Sequence, residues 1–257
     1  MRRALLLLLS LLLPLAACRH EVSPPLGDGP TGPTDGAPPS GRWVAEIGPL
    51  KCRGPSLIGG GVSCGVALPA PDPGAGIVSL TPADPMELQA LCATKGGQIA
   101  TICLYPALVS PQIILTNPSP GAASCSQGKA VGGTVDCSGS GDRATSAYPG
   151  PKETNAFIGT CEGGPASVRA FCIAGELVSD TLSTYVHQVA TSDETLAQCP
   201  DEKPVTIGGG CRSTNNKPVW QSRPVALGND RWGWKCSGGK PDAYAVCAAI
   251  TSQQQGS

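Results

Sequence analysis

The chain has 257 residues, 18 basic against 19 acidic side chains, 34 glycines, 26 prolines and only ten aromatic residues, of which four are Trp, four Tyr and two Phe. Balanced charge gives no basic field for a nucleic-acid backbone, and the glycine and proline load argues against a helical body. Thirteen cysteines point to covalent staples where large apolar side chains are scarce.

Residues 1–17 begin with Arg2 and Arg3, run apolar from Ala4 to Leu13 with only Ser10 interrupting, and reach Leu15-Ala16-Ala17-Cys18. That is the layout of a signal peptide: charged start, short apolar stretch, small-residue cleavage site. The apolar run falls short of the roughly 20 residues needed to cross a ~30 Å hydrocarbon core. The tetrad resembles the bacterial lipobox. The resemblance implies a diacylglyceryl group on the Cys18 thiol, cleavage just before it and acylation of the new amine, palmitate-like chains making the membrane a partner. Several chains, at ~0.8 kcal/mol per buried methylene, anchor far more firmly than one. An ordinary cleaved signal with an incidental cysteine is the alternative, and Cys18 being the odd cysteine weighs against it. Loss of Arg2 and Arg3 leaves 240 residues with 16 basic and 19 acidic side chains, a net of −3. Arg19 stands where the inner-membrane retention signal of enteric bacteria has Asp, so the expected address is the outer membrane, on a side the sequence does not specify.

Residues 18–41 read as the lipidated cysteine and a tether: 19–41 hold six prolines and five glycines with no hydrophobic period, too little apolar surface to offset the entropy of ordering. Extended at ~3.1 Å per residue, the tether reaches about 70 Å. The remaining cysteines lie at 52, 64, 92 and 103, at 125, 137, 161 and 172, and at 199, 211, 236 and 247. Spacings of 12-28-11, 12-24-11 and 12-25-11 mark one pattern three times, giving β repeats at 42–108, 109–182 and 183–251 and a disordered tail at 252–257. Gly59-Gly60-Gly61, Gly132-Gly133 and Gly208-Gly209-Gly210 fall between the first two cysteines of each quartet, and Ser79 to Pro82, Ser146 to Pro149 and Ser222 to Pro224 between the middle two.

Strand-favouring runs open the repeats at Trp43 to Ile47, Ile113 to Thr116 and Thr184 to Ala190, and close them at Ile99 to Leu104, Ser167 to Ile173 and Ala243 to Ile250. Pro85 to Ala93 is the one segment that reads as helix. The predicted class is all-β, with three tandem repeats of about 73 residues packed as one pseudo-threefold body.

Cys199-Pro200, Gly208-Gly209-Gly210-Cys211, Ser222-Arg223-Pro224, Gly233-Trp234-Lys235-Cys236 and Ala243-Tyr244-Ala245-Val246-Cys247 resemble a repeat found in uncharacterised secreted and surface proteins of bacteria. The resemblance is close only over 199–248. Counted from the cysteines, Trp234 is replaced by Ala90 and Gly159 in the first two repeats. Within a quartet, sequential pairing would close two small loops, whereas nested pairing would join Cys52 to Cys103, Cys64 to Cys92, Cys125 to Cys172, Cys137 to Cys161, Cys199 to Cys247 and Cys211 to Cys236. Near-equal arms with a variable middle favour nesting, the one-residue excess being what one β-bulge absorbs. Members of the resembling family with fewer cysteines keep the outer pair, which also implies nesting, while spacing alone leaves both schemes open.

Catalytic and cofactor signals are sparse. No Cys-x-x-Cys occurs and only His20 and His187 could complete a zinc site, so no metal or other cofactor is expected. His187 shares a strand face with Tyr185 and Val189, without a Gly-x-Ser-x-Gly elbow, and reads as a partly packed strand residue. The glycine clusters lack the helix and Lys-Ser/Thr of a phosphate loop and read as bulge or close-approach positions. Trp220, Arg223, Asp230 and Trp232, with Arg231, Trp234 and Tyr244 nearby, form the one aromatic-and-charged concentration and are the candidate ligand-binding residues; alternation of Trp232, Trp234 and Cys236 raises the competing possibility that the rings pack in the core. The expectation is a non-enzymatic, envelope-anchored binding or adhesion module whose partner is a glycan or an envelope protein and not a nucleic acid. A purely structural envelope lipoprotein is the alternative.

Overall fold

The computed structural model describes residues 44–48, 52, 56–65, 74–94, 96–105, 112–139, 142–151, 155–175 and 183–254. The leader, Cys18 and the tether lie outside the described residues. Every regular element described is a strand, and none is a helix long and apolar enough to cross a membrane.

The first cysteine quartet carries β1 (Val44–Gly48), β2 (Ser56–Cys64), β3 (Ile77–Asp84), β4 (Glu87–Cys92) and β5 (Gly97–Tyr105). The second carries β6 (Gln112–Leu115), β7 (Ser119–Pro120), β8 (Ala122–Ser124), β9 (Lys129–Asp136), β10 (Ala144–Pro149), β11 (Ala156–Cys161), β12 (Gly164–Pro165) and β13 (Ser167–Ala174). The third carries β14 (Ser183–Gln188), β15 (Glu194–Gln198), β16 (Val205–Ser213), β17 (Gln221–Gly228), β18 (Arg231–Ser237), β19 (Pro241–Ala248) and β20 (Thr251–Gln254). All six runs read as strands from the sequence fall within or across these elements.

Two expectations are corrected. Residues Pro85 to Ala93 are not helical: Pro85 and Met86 turn the chain and β4 returns along β3, with Leu88 and Ala90 buried and Gln89 and Leu91 exposed. Burial there has a period of two, and Asp84 accepts the Met86 N–H at 2.6 Å to tighten the turn. Nor is 252–257 wholly a tail. Thr251–Gln254 pairs parallel with β1 and so covers a ladder edge that would otherwise be bare; 255–257 lie outside the described residues.

The strands form three sheets, ordered β15-β18-β17-β2-β5-β1-β20, β4-β3-β9-β13-β6 and β12-β11-β10-β16-β19-β14. No sheet belongs to one quartet. Strands β2 and β5 are extended by the β17–β18 hairpin, β9 and β13 by β3–β4, and β16 and β19 by β10–β11, so each quartet lends its inner hairpin to the next sheet around. Inside each quartet the first cysteine joins the fourth and the second joins the third: Cys52–Cys103, Cys64–Cys92, Cys125–Cys172, Cys137–Cys161, Cys199–Cys247 and Cys211–Cys236. Because the hairpins are lent out, the Cys64–Cys92 and Cys211–Cys236 bridges tie one sheet to another.

The longer arm of each quartet absorbs its extra residue as a bulge. The register of β2 on β5 skips Ile58, that of β9 on β13 skips Val131, and that of β16 on β19 skips Ile207. All three bulged side chains are fully buried. The glycines that follow let the three strands meet: a Cβ on Gly132 would lie 3.8 Å from the Gly208 Cα and 3.9 Å from the Ile58 carbonyl, and one on Gly208 would collide with the Val131 carbonyl. One residue on, a Cβ at Gly60, Gly133 or Gly209 would strike Leu88, Phe157 or Trp234 respectively. The same three large side chains pair across their hairpins with Pro82, Pro149 and Pro224. By packing, then, the counterparts of Trp234 are Leu88 and Phe157, not Ala90 and Gly159. Cys236 sits opposite Ser222 just as Ala90 sits opposite Leu80 and Gly159 opposite Ala147, so the inner bridge of the third quartet lies one pleat earlier along its hairpin.

Candidate ligand-binding face

The four residues singled out by sequence do not form one site. Trp232 is 0% exposed and packed in the common core, its indole N–H buried without an acceptor, so it offers no ring face to a ligand. This is a correction, and its cause is the strand period: Trp232, Trp234 and Cys236 point inward together. Trp234 is likewise buried and donates its indole N–H to Ser222 Oγ at 3.1 Å. Trp220 is half-buried against the core beside Gly238. Asp230 lies at the opposite end of the β17–β18 hairpin from Trp220, exposed in the turn with Asn229, both with positive φ. Arg223 is half-buried on the outer face of β17, where burial holds its guanidinium below the ordinary arginine range.

The concentration of chemistry on the described surface is elsewhere, on the outer face of the sheet built from β10, β16, β19 and β14. Inner positions Ala147, Cys211, Ala243 and Ala245 alternate with outer Tyr148, Arg212, Asp242 and Tyr244. Tyr244 pairs with Gly210 on one side and His187 on the other. Gly210 contributes no side chain, and a Cβ there would strike Tyr148 and the Ala147 carbonyl, so Tyr148 closes over the gap. The result is a stack: Tyr148 to Tyr244 at 4.7 Å and 22°, Tyr244 to His187 at 4.5 Å and 3°, with Tyr185 tilted in at 5.8 Å. Three of the chain's four tyrosines meet here.

Charged groups lock the stack. The Asp242 carboxylate, 4% exposed, accepts the Ala190 N–H at 2.9 Å and lies 3.4 Å from His187 Nε2 and 3.8 Å from Arg212 Nε. The Arg212 pKa is raised chiefly by charge interaction with Tyr244, with Tyr148 and Asp242 adding to it, against the lowering effect of burial. Burial pushes the Tyr244 phenol up to about 12, which Arg212 only partly opposes. Tyr185 donates its hydroxyl to the Pro149 carbonyl at 3.0 Å. Arg212 and His187 remain open to solvent, at 49% and 40% side-chain exposure.

This arrangement has the attributes of a recognition surface: rigid aromatic groups, planar donors and one buried carboxylate that fixes them. A nucleophile beside His187 does not feature among its described hydrogen bonds or ion pairs, and no group of three or more His, Cys, Asp and Glu side chains able to hold a metal occurs among the described residues. Sequence reading singled out Tyr244 and set Tyr185 beside His187 on one strand face, but missed Tyr148, Arg212 and Asp242 as partners, because Tyr148 and Arg212 come from other strands that join β19 only in the folded sheet.

Comparison with known proteins finds no match for this chain among protein families, curated proteins or solved structures.

Proposed function

We propose that this chain is an envelope-anchored lipoprotein whose β body is a non-enzymatic binding module, and that its contact surface is formed by the exposed His187 and Arg212 and the half-buried Tyr148, held in place by the buried Tyr244 and Asp242 between and beneath them. The observation that carries this reading is the stack itself. Three aromatic rings are held face to face at about 4.5–5 Å on the outer side of the sheet, the middle one, Tyr244, buried between Tyr148 and the exposed His187, and Arg212 and Asp242 bracket them. Such rings give up little rotamer entropy on binding, which suits recognition of a saccharide or a partner loop.

The address rests on the leader and on cysteine arithmetic. Twelve cysteines pair within the body, and Cys18 is the thirteenth. Lipid on Cys18, a 23-residue tether and the outer membrane as residence make one consistent picture. We further read the body as three repeats exchanging hairpins around a pseudo-threefold axis. That reading is supported by the cyclic strand loans, the three bulges and the three glycine-against-large-side-chain contacts.

Two measurements test the proposal. Cys18→Ser is expected to leave the membrane fraction or to accumulate as precursor; normal processing with lipid retained would remove the anchor from the account. A glycan array and a pull-down from envelope extracts, both with the full detergent-solubilised chain, are expected to return a specific ligand. Silence in both would favour a purely structural envelope protein.

A further inference from the structure

A cleft of about 470 Å³ lies between the start of β2, the β3–β4 turn and strands β6 and β13. Its place in the fold is marked by a hydrogen bond that recurs once per quartet: Cys52 N–H to the Met86 carbonyl at 2.9 Å, Cys125 N–H to that of Asn155 at 3.0 Å, and Cys199 N–H to that of Trp232 at 3.1 Å. In the third quartet the matching side chain is thus an indole, wholly buried. The fold accommodates a large ring at this place, so open space beside the half-buried Met86 is not something that packing demands.

Leu57, Pro82, Met86, Ile113 and Leu115 give the cleft an aliphatic lining, in which Phe171 is the one aromatic residue described. Met86, Ile113 and Leu115 are only half-buried, which leaves apolar surface that a bound chain would remove from water. Ser56 supplies the one hydroxyl of the described lining, too little to hold a sugar or another polyol. The volume falls in the range of small-ligand sites, and a methionine thioether adapts its shape to a flexible partner.

One cation lines this apolar space. Arg143, Arg212 and Arg231 each lie against a carboxylate, that of Glu162, Asp242 and Asp201 respectively. Arg169, half-buried in the cleft, has neither an ion pair nor a hydrogen bond from its guanidinium among the described residues. Its neighbour across the ladder, Thr134, is buried and uncharged. Asp84 also lines the cleft, but its carboxylate accepts the Met86 N–H and is not paired with Arg169. A guanidinium among aliphatic side chains has given up part of its hydration without gaining a partner, and a ligand carboxylate would supply one through two parallel N–H···O bonds. Asp84 nearby weighs against a dianion such as a phosphate monoester.

We infer that this cleft binds an aliphatic carboxylate, its chain against Leu57, Met86, Ile113 and Leu115 and its carboxylate on the Arg169 guanidinium. The site shares no residue with the aromatic stack and does not depend on it.

Calorimetry with the full chain in detergent-free nanodiscs, blanked against empty nanodiscs, tests this with octanoate and its neutral counterpart octanamide at about pH 7, where the acid is ionised. Octanoate is expected to bind about tenfold or more tighter than octanamide, and affinity to rise about fourfold per methylene from hexanoate to octanoate. In Arg169→Gln the two affinities should become equal while that for octanamide stays. Met86→Asn, which copies the second quartet at this place, should weaken both probes alike. Equal affinity for octanoate and octanamide in the wild type, an octanoate preference that survives in a folded Arg169→Gln, or binding of neither probe would each overturn the inference. Octyl phosphate binding more tightly than octanoate would overturn the carboxylate assignment. If Arg169→Gln does not fold, the wild-type ratio and Met86→Asn decide.

Discussion

The outer face of the β10-β16-β19-β14 sheet and that of the β17-β2-β5 sheet have the same backbone plan and opposite surface chemistry. In the first, Tyr148, Gly210, Tyr244 and His187 form a row across four strands; in the second, the same row reads Arg223, Gly61 and Ala100. Both glycines are there for one reason, since a Cβ on Gly61 would strike the backbone of Ser222 and Arg223 just as one on Gly210 would strike that of Ala147 and Tyr148. Inward positions match closely: a proline opposite a large apolar side chain, a glycine beneath it, a buried bulge before it. The scaffold is thus shared while the outward residues are not, which is the difference that the proposed role of one face builds on.

The largest expected effect removes what both faces share. Each disulfide closes a loop of 24 to 51 residues, for which constraint of the unfolded chain contributes roughly 3–4 kcal/mol. Against a typical total of about 5–15 kcal/mol, loss of all six bridges should unfold the body. Circular dichroism with and without reductant, under otherwise native conditions, checks this. A reduced protein with its β spectrum and melting temperature intact would mean that the common core suffices and that the faces are not held by their staples.

A smaller effect should belong to the tyrosine face alone. Tyr244 ionises near 12 in the folded protein, above the value of about 10 for an unfolded tyrosine. A raised pKa means that the folded state holds its proton where the unfolded state has lost it. Its contribution is therefore complete below pH 10 and disappears as pH rises through 12, by at most about 3 kcal/mol in all. Melting temperature against pH should fall more steeply over that window in the wild type than in Tyr244→Phe. Parallel curves would indicate that the phenol is not desolvated as the stack requires. The other face has Ala100 at this position and can contribute no such term.

Much of the scaffold was legible in the sequence because its causes are local or periodic. Strand runs announce themselves by β-branched and aromatic residues, and cysteine spacings with near-equal arms favour the nested arrangement. The bulges at Ile58, Val131 and Ile207 correspond to the one-residue excess in each longer arm. The lending of hairpins was not legible: a β3–β4 hairpin has the same alternation whether it packs beside β2 or beside β9, so pattern alone cannot choose. Cys236 misled in a related way. Counting from it placed Trp234 against Ala90 and Gly159, whereas a one-pleat offset of the bridge sets it with Leu88 and Phe157. The candidate face was missed for a third reason. Tyr148 and Tyr244 are 96 positions apart in the sequence and become neighbours only across Gly210, whereas Trp220, Arg223, Asp230 and Trp232 are close in sequence and are separated by strand period and hairpin length.

The claim that one face carries the function is tested most directly by a matched pair of substitutions, Tyr148→Ala on one face and Arg223→Ala at the matching place on the other. Binding of whichever ligand the array or pull-down returns would be measured for both, alongside their melting temperatures. The account predicts that Tyr148→Ala, which removes one stacked ring worth about 1 kcal/mol of stability, stays folded and loses about tenfold or more in affinity, while Arg223→Ala binds like the wild type. Full affinity in Tyr148→Ala together with lost affinity in a folded Arg223→Ala would place the ligand on the other face and contradict it.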